Sequence, residues 1–146
     1  MKLSEVLFEK GTRVYTANES DPVLSAVETL VSHNLGALAI LDHNNMLAGI
    51  FSERDILRLV SRNAGQLASL TVGEFMTRNV VTGNPDDTVD EAMSKMTERR
   101  IRHLPVIQHG RLLGMISIGD LVKSQLEETE YHKQQMENLV AGRYPA

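Results

Sequence analysis

The chain writes one pattern twice. The stretch "VYTANESDPVLSAVETLVSHNLGALAILDH" (14–43) overlays "VVTGNPDDTVDEAMSKMTERRIRHLPVIQH" (80–109). This pairs Val14 with Val80, Thr16 with Thr82, Asn18 with Asn84, Asp21 with Asp87, Ala26 with Ala92 and Leu38 with Leu104. After the turn at Asn44-Asn45, answered by Gly110 alone, the register shortens by one residue, and Leu47/Leu112, Gly49/Gly114, Ser52/Ser117 and Asp55/Asp120 coincide. A turn tolerates such a change of length. Duplication constrains the fold strongly, because both copies must repeat one order of elements and neither buries its apolar faces alone.

Each copy reads as strand–helix–strand–strand–helix. A short strand (about 14–16 and 80–82) leads through a polar turn to Asp21 or Asp87, expected N-caps, with Pro22 at the first helical position. The helix that follows carries Ala26, Val27, Leu30 and Val31 on one stripe in the first copy, and Val89, Ala92, Met93 and Met96 in the second. Two strands joined by a tight turn come next (38–41 with 47–51, 104–107 with 111–116), and a second helix opens after Ser52 and after Ser117. The expected fold is α/β (α+β): two β-α-β-β-α units packed sheet to sheet about a pseudo-twofold axis.

The organisation expected is an N-terminal helix (1–11) ended by Gly11, a first repeat (12–63), a linker (64–79), a second repeat (80–125) and a C-terminal helical extension (126–146). In the linker, "TVGEFMT" predicts one helical turn capped by Thr71. The last helix is expected from Ile118 towards Ala141. Its polar stretch 127–135 reads as a solvated face, with Tyr131, Met136, Leu139 and Val140 available to a partner chain.

The composition excludes several classes of function. There is no Cys, so disulfides, thiolate metal sites and cysteine nucleophiles are absent. The run "LGALAIL" (35–41) is too short to cross a bilayer, and Glu5 and Glu9 stand where a signal peptide needs apolar residues. A soluble cytoplasmic protein is expected. A net charge of −4 argues against nonspecific nucleic-acid binding. The basic residues nevertheless cluster: Arg54, Arg58 and Arg62 recur every four residues, and "ERRIRH" (98–103) sets three arginines beside a histidine. These clusters suit a small anion; for Arg58 and Arg62 a solvated helix face is the plainer reading.

The twice-written "GIFSERD" (49–55) and "GMISIGD" (114–120) carry the chemistry. A serine followed three residues later by an acid is a capping box and needs no ligand, although Asp is short for that reach. Capping leaves Gly49 and Gly114 unexplained, since glycine within a strand marks close approach of a ligand or of another backbone. The functional reading uses the same geometry. A helix start and its serine hydroxyl receive a phosphate. An ionised aspartate only accepts hydrogen bonds, so it suits the two hydroxyls of a ribose diol. Phosphate, ribose and a flat apolar group against the strand make a nucleotide.

Tandem units of this order, each closing on Gly-hydrophobic-hydrophobic-Ser-x-x-Asp, with "RHLPVI" (102–107) and "GIFSERDIL" (49–57), resemble a pair of CBS domains, a Bateman module. The resemblance covers residues 12–125. It implies a regulatory, non-catalytic module that binds AMP, ADP, ATP, NAD or S-adenosylmethionine between the units, forms a homodimer and signals to a regulated protein. Carried over by position, it implies that Asp55 and Asp120 hold ribose, Ser52 and Ser117 lie near phosphate, and Ile50 and Met115 touch the nucleoside. The adenine side would come from Thr16, Leu35, Gly36 and Ala37 in one unit and from Thr82, Ile101, Arg102 and His103 in the other. Each site is expected to join the Ser/Asp motif of one unit to the adenine side of its neighbour. The Ser52/Asp55 site then gains Arg54, Arg102 and His103, while the Ser117/Asp120 site faces Gly36 and Ala37. The first suits two or more phosphates; the second suits a monophosphate or nucleoside.

Other constellations carry less. His43 and His109 both fall in the turn between strands and lack a second ligand at metal-binding spacing. His103 beside Asp120 has no nucleophile, oxyanion site or metal to complete a catalytic group, and reads as a ligand contact or a half-buried ring. Met93 and Met96 fill core. A structural homodimerisation module with vestigial sites and, less well, a nucleotide hydrolase are the alternatives to a sensor.

Overall fold

The computed structural model describes residues 1–11, 14–62 and 67–142, and in it the duplication becomes two interlocked copies of one unit. A leading helix, α1 (Leu3–Lys10), precedes the first copy: β1 (Thr16–Asn18), α2 (Val23–Ser32), β2 (Ala37–Leu41), β3 (Leu47–Ser52) and α3 (Glu53–Arg62). A single turn, α4 (Val72–Phe75), capped by Thr71 as expected, leads to the second copy: α5 (Val89–Arg99), β4 (His103–Gln108), β5 (Arg111–Ser117) and α6 (Ile118–Val140). β2 pairs parallel to β1 and antiparallel to β3, whereas β4 pairs with β5 alone. The repeats, the leading helix and the long last helix all match the expected fold class. Residues 64–66 of the expected linker and 143–146 of the extension lie outside the described residues.

Three local expectations are corrected. The strand expected over 80–82 reduces to one parallel bridge, Gly83 with Val106. Gly83 N donates to Pro105 O (2.8 Å) and Ile107 N donates to Gly83 O (3.0 Å). The preceding ladder bond would need an N–H on Pro105, which a proline lacks. Asp21 and Asp87 are not the helix caps. Each closes its own polar turn, accepting from Asn18 N and Asn84 N respectively, both at 2.9 Å. The cap of α5 is Thr88, paired with Glu91 in a capping box, while Pro22, extended at ψ 142, precedes α2 instead of opening it. On α2, Val31 faces solvent at 75% exposure, and Val23 takes its place in the buried stripe with Ala26 and Leu30.

The repeats do not share one core. Each has its own, completed by the segment that precedes the other repeat. Leu3 and Val6 of α1 are buried with Val89, Met96, Leu104, Val106 and Ile116 of the second repeat. Val72 and Met76 are buried with Val23, Leu30, Leu38, Ile40 and Phe51 of the first. The backbone connections correspond. Lys2 bridges Thr88 and Thr71 bridges Pro22, both antiparallel, at positions equivalent in the duplication.

This exchange accounts for the repeated glycines. A Cβ on Gly49 would stand 2.6 Å from Thr77 O and 2.8 Å from Met76 Sδ, and one on Gly114 would stand 2.5 Å from Leu7 Cδ2. Each glycine is the socket for its own repeat's docked segment, so the close approach is by the chain itself. Thr77 also bridges Ile50 (Ile50 N to Thr77 O 2.9 Å, Thr77 N to Ile50 O 2.8 Å).

Candidate binding site between the repeats

Glycine at the socket lets the docked segment run beside the end of β3 or β5, where the serine begins a helix. Ser52 N donates to Asp55 Oδ2 (2.9 Å) and Ser117 N donates to Asp120 Oδ2 (2.9 Å). The short aspartate therefore does reach back, and the capping reading of the motif is correct as far as it goes. Asp120 N donates to Ser117 Oγ (3.1 Å), completing a capping box, whereas the Ser52 hydroxyl donates to Asp55 Oδ2 (3.1 Å). The docked segments then add a further donor each: Thr77 Oγ1 to Asp55 Oδ1 (3.0 Å), and Lys10 Nζ to Asp120 Oδ2 (2.7 Å). Asp55 is buried at 5% exposure, while the Asp120 side chain keeps 26%.

Two cavities open beside these motifs. The first, about 430 Å³, is lined by Ile50, Ser52, Glu53, Arg54, Asp55 and Arg58 from the first repeat, by Thr77, Asn79, Val80 and Val81 from the connection, and by Arg100, Ile101, Arg102, His103, Ser117 and Ile118 from the second. The second, about 420 Å³, takes Leu7, Lys10 and Gly11 from the leading segment, Val14, Tyr15, Asn34 and Leu35 from the first repeat, and Met115 from β5. Gly36, Ala37, His103 and Ser117 line both. The Ser52/Asp55 motif thus shares a cavity with Arg54, Arg102 and His103, and Ser117 shares one with Gly36 and Ala37. Thr16 and Thr82 line neither: Thr16 pairs with Ala39 in the sheet, and the Thr82 carbonyl accepts from Lys95 Nζ (3.0 Å). Two positions earlier, Val14 and Val80 are the ones that face the cavities. Asp120 does not line the second cavity directly but stands beneath Lys10.

The two cavities differ in charge. The first gathers Arg54, Arg58, Arg100 and Arg102 against the carboxylates of Glu53 and Asp55. Arg58, expected on a solvated face, belongs to this wall; Arg62 is exposed and lines neither cavity. The ion pairs found among the described residues involve none of these four guanidinium groups. Among the described residues that line the second cavity, Lys10 is the one with a charged side chain, already paired with Asp120. His103 stands where the cavities meet, its ring close over Gly36, where a Cβ would lie 3.0 Å from Cε1. Burial, followed by the Arg102 and Lys10 charges, lowers the His103 pKa below its ordinary value, so the ring is neutral at neutral pH. Burial pushes the Asp120 carboxyl up, but the hydrogen bonds from Lys10 and Ser117 outweigh it and hold the group below the usual carboxylate value.

Sequence reasoning missed the contributions of Thr77, Asn79 and Lys10. These residues precede the aligned stretches, and the only signal was a leading pattern of Leu3 and Leu7 against Val72 and Met76, each four residues apart. Among the described residues there is no cluster of metal-ligating side chains, and no helix is long and apolar enough to cross a membrane.

Comparison with known proteins agrees with this architecture. The family model "CBS domain" matches residues 10–62 and again 72–127. The chain is 35% identical to the mitochondrial CBS domain-containing protein CBSX3 of Arabidopsis thaliana, covering 97% of this chain and 73% of that protein. The CBS-domain containing protein ATU1752 of Agrobacterium tumefaciens superposes with a TM-score of 0.80 at 37% identity, over 86% of this chain and 99% of that one. The CBS domain pair of protein MJ0100, crystallised with 5′-methylthioadenosine and S-adenosyl-L-methionine, gives 0.77 at 27% identity, over 88% and 98%. With a matching domain in each repeat, this chain belongs to the CBS domain family.

Proposed function

We propose that this protein is an adenine-nucleotide sensor that binds AMP, ADP, ATP or NAD between its repeats and passes the resulting change to a regulated partner. The observation that carries the reading is the first cavity. Four arginines that join no ion pair among the described residues line a site that also holds Ser52 and the Asp55 carboxylate. Guanidinium groups recognise phosphate by charge and by paired N–H donors, and a carboxylate accepts from ribose hydroxyls. An anionic chain carrying a sugar satisfies both, and an adenosine-type ligand in a related pair supports the nucleoside half. The charge asymmetry among the described lining residues supports a ligand with two or more phosphates in the first cavity and a monophosphate or nucleoside in the second. A ligand transmits a signal only through different affinity for two states of the protein, so a homodimer whose geometry responds to occupancy is the natural reporter. Apolar side chains exposed on α3 (Leu57) and α6 (Leu126, Met136, Leu139) fit such an assembly.

One observation favours the structural alternative: both aspartates are hydrogen-bonded within the chain, as a module with vestigial sites would have them. A thermal-shift series with adenosine, AMP, ADP, ATP and NAD separates the two. A ligand that binds only the folded state raises the melting temperature in step with its affinity. The sensor reading expects ATP and ADP to stabilise more than adenosine at equal concentration; a flat series across all five ligands contradicts it.

A further inference from the structure

Asp120 differs from Asp55 in what a ligand must displace. A carboxylate oxygen offers about two lone pairs. On Asp120 Oδ2 both are engaged, by Ser117 N at 2.9 Å and by Lys10 Nζ at 2.7 Å. A sugar diol that uses both carboxylate oxygens therefore has to evict Lys10, because the Ser117 N–H is fixed by the strand end. On Asp55 the donors that can move aside are the hydroxyls of Ser52 and Thr77, which rotate away without stranding a charge. Lys10 is an ammonium, and once lifted from Asp120 it keeps, among the described residues, the Met115 carbonyl at 2.7 Å as its hydrogen-bond partner. Among the described residues, nothing that lines its cavity is anionic.

From this we infer that Lys10 is a specificity residue of the second cavity: it occupies the carboxylate as a built-in substitute for the sugar and yields only to a ligand that brings its own anion. A nucleoside monophosphate supplies hydroxyls for Asp120 and a phosphate for the released ammonium, while an uncharged nucleoside supplies only the hydroxyls. The second cavity thus selects AMP over adenosine although its described walls carry little charge. The inference rests on the adenylate reading of the site. It goes beyond it by locating the selectivity in the last residue of α1, which no part of the repeated motif contains.

The test is a comparison of AMP and adenosine binding to the wild type and to Lys10→Met, followed by NMR at the Met115 and Asp120 amides, neither of which lines the first cavity. These amides report this cavity separately from those of Ser52 and Asp55. Methionine keeps the length of the lysine stem and removes the charge, and α1 remains anchored by Leu3 and Val6. The wild type is expected to prefer AMP by roughly tenfold or more, the worth of one charge-assisted hydrogen bond. Lys10→Met is expected to bind adenosine more tightly and to bring that preference close to unity, and Lys10→Arg to retain it. An unchanged preference in Lys10→Met, or weaker adenosine binding, overturns the inference while leaving the adenylate reading intact. If neither ligand moves these amides in any of the three proteins, the adenylate reading of this cavity fails, and the inference fails with it.

Discussion

At Gly49 the side chain is missing because the chain itself fills the space. A methyl group there would press on the Thr77 carbonyl oxygen, a backbone atom already bonded to Ile50 N. At Gly114 it would press on Leu7 Cδ2, the end of a side chain that can rotate. Gly49→Ala is therefore expected to cost about 1–3 kcal/mol, as overpacked sites do, and Gly114→Ala less, by urea denaturation. Equal costs, or a neutral Gly49→Ala, would contradict the socket. The sequence told us that these positions matter and offered two reasons, ligand or backbone. It lacked the means to choose, because Met76 and Leu7 lie outside the aligned stretches. The aspartates were legible in the same partial way. Their spacing from serine announced a capping box, but the third partner of each, Thr77 or Lys10, comes from the segment leading into a repeat, and the two segments have different side chains at that point.

The elements were largely legible. Hydrophobic period placed α1, α2, α5 and α6 and both hairpins within a residue or two, and the Thr71 cap announced α4. The first strand of the second repeat was not, because a single proline in the neighbouring strand decides it. The pairing of segments was also hidden, since nothing local says that α1 completes the second repeat and α4 the first. That exchange is testable. Leu3 is fully buried among Leu104, Val106 and Ile116, so Leu3→Ala should cost about 2–5 kcal/mol. Hydrogen exchange should show the loss first at the Leu104, Val106 and Ile116 amides and later at Leu38, Ile40 and Phe51. Val72→Ala should reverse the order. Loss of protection confined to the first repeat in Leu3→Ala would contradict the crossed arrangement.

Taken as a whole, the molecule is acidic, with a net charge of −4, yet it turns four arginines towards one cavity between its repeats. Such focusing draws in anions against the overall charge. It arises because the duplication drifted: Arg102-His103 answers Gly36-Ala37, and Arg54 answers Gly119. That asymmetry was visible in the sequence once the copies were aligned. Arg100 was foreshadowed by the basic cluster 98–103, but the wall of Arg58 was not, because helical spacing alone does not distinguish a solvated arginine from one facing a cleft. The most direct test is isothermal titration of ATP and AMP into the wild type and Arg102→Ala. A cavity that recognises phosphates through these arginines should bind ATP more tightly than AMP. It should lose roughly tenfold in ATP affinity with the one guanidinium, by the scale of a charge-assisted hydrogen bond, while AMP binding in the second cavity persists. ATP and AMP binding with equal affinity, and Arg102→Ala changing neither, would contradict it.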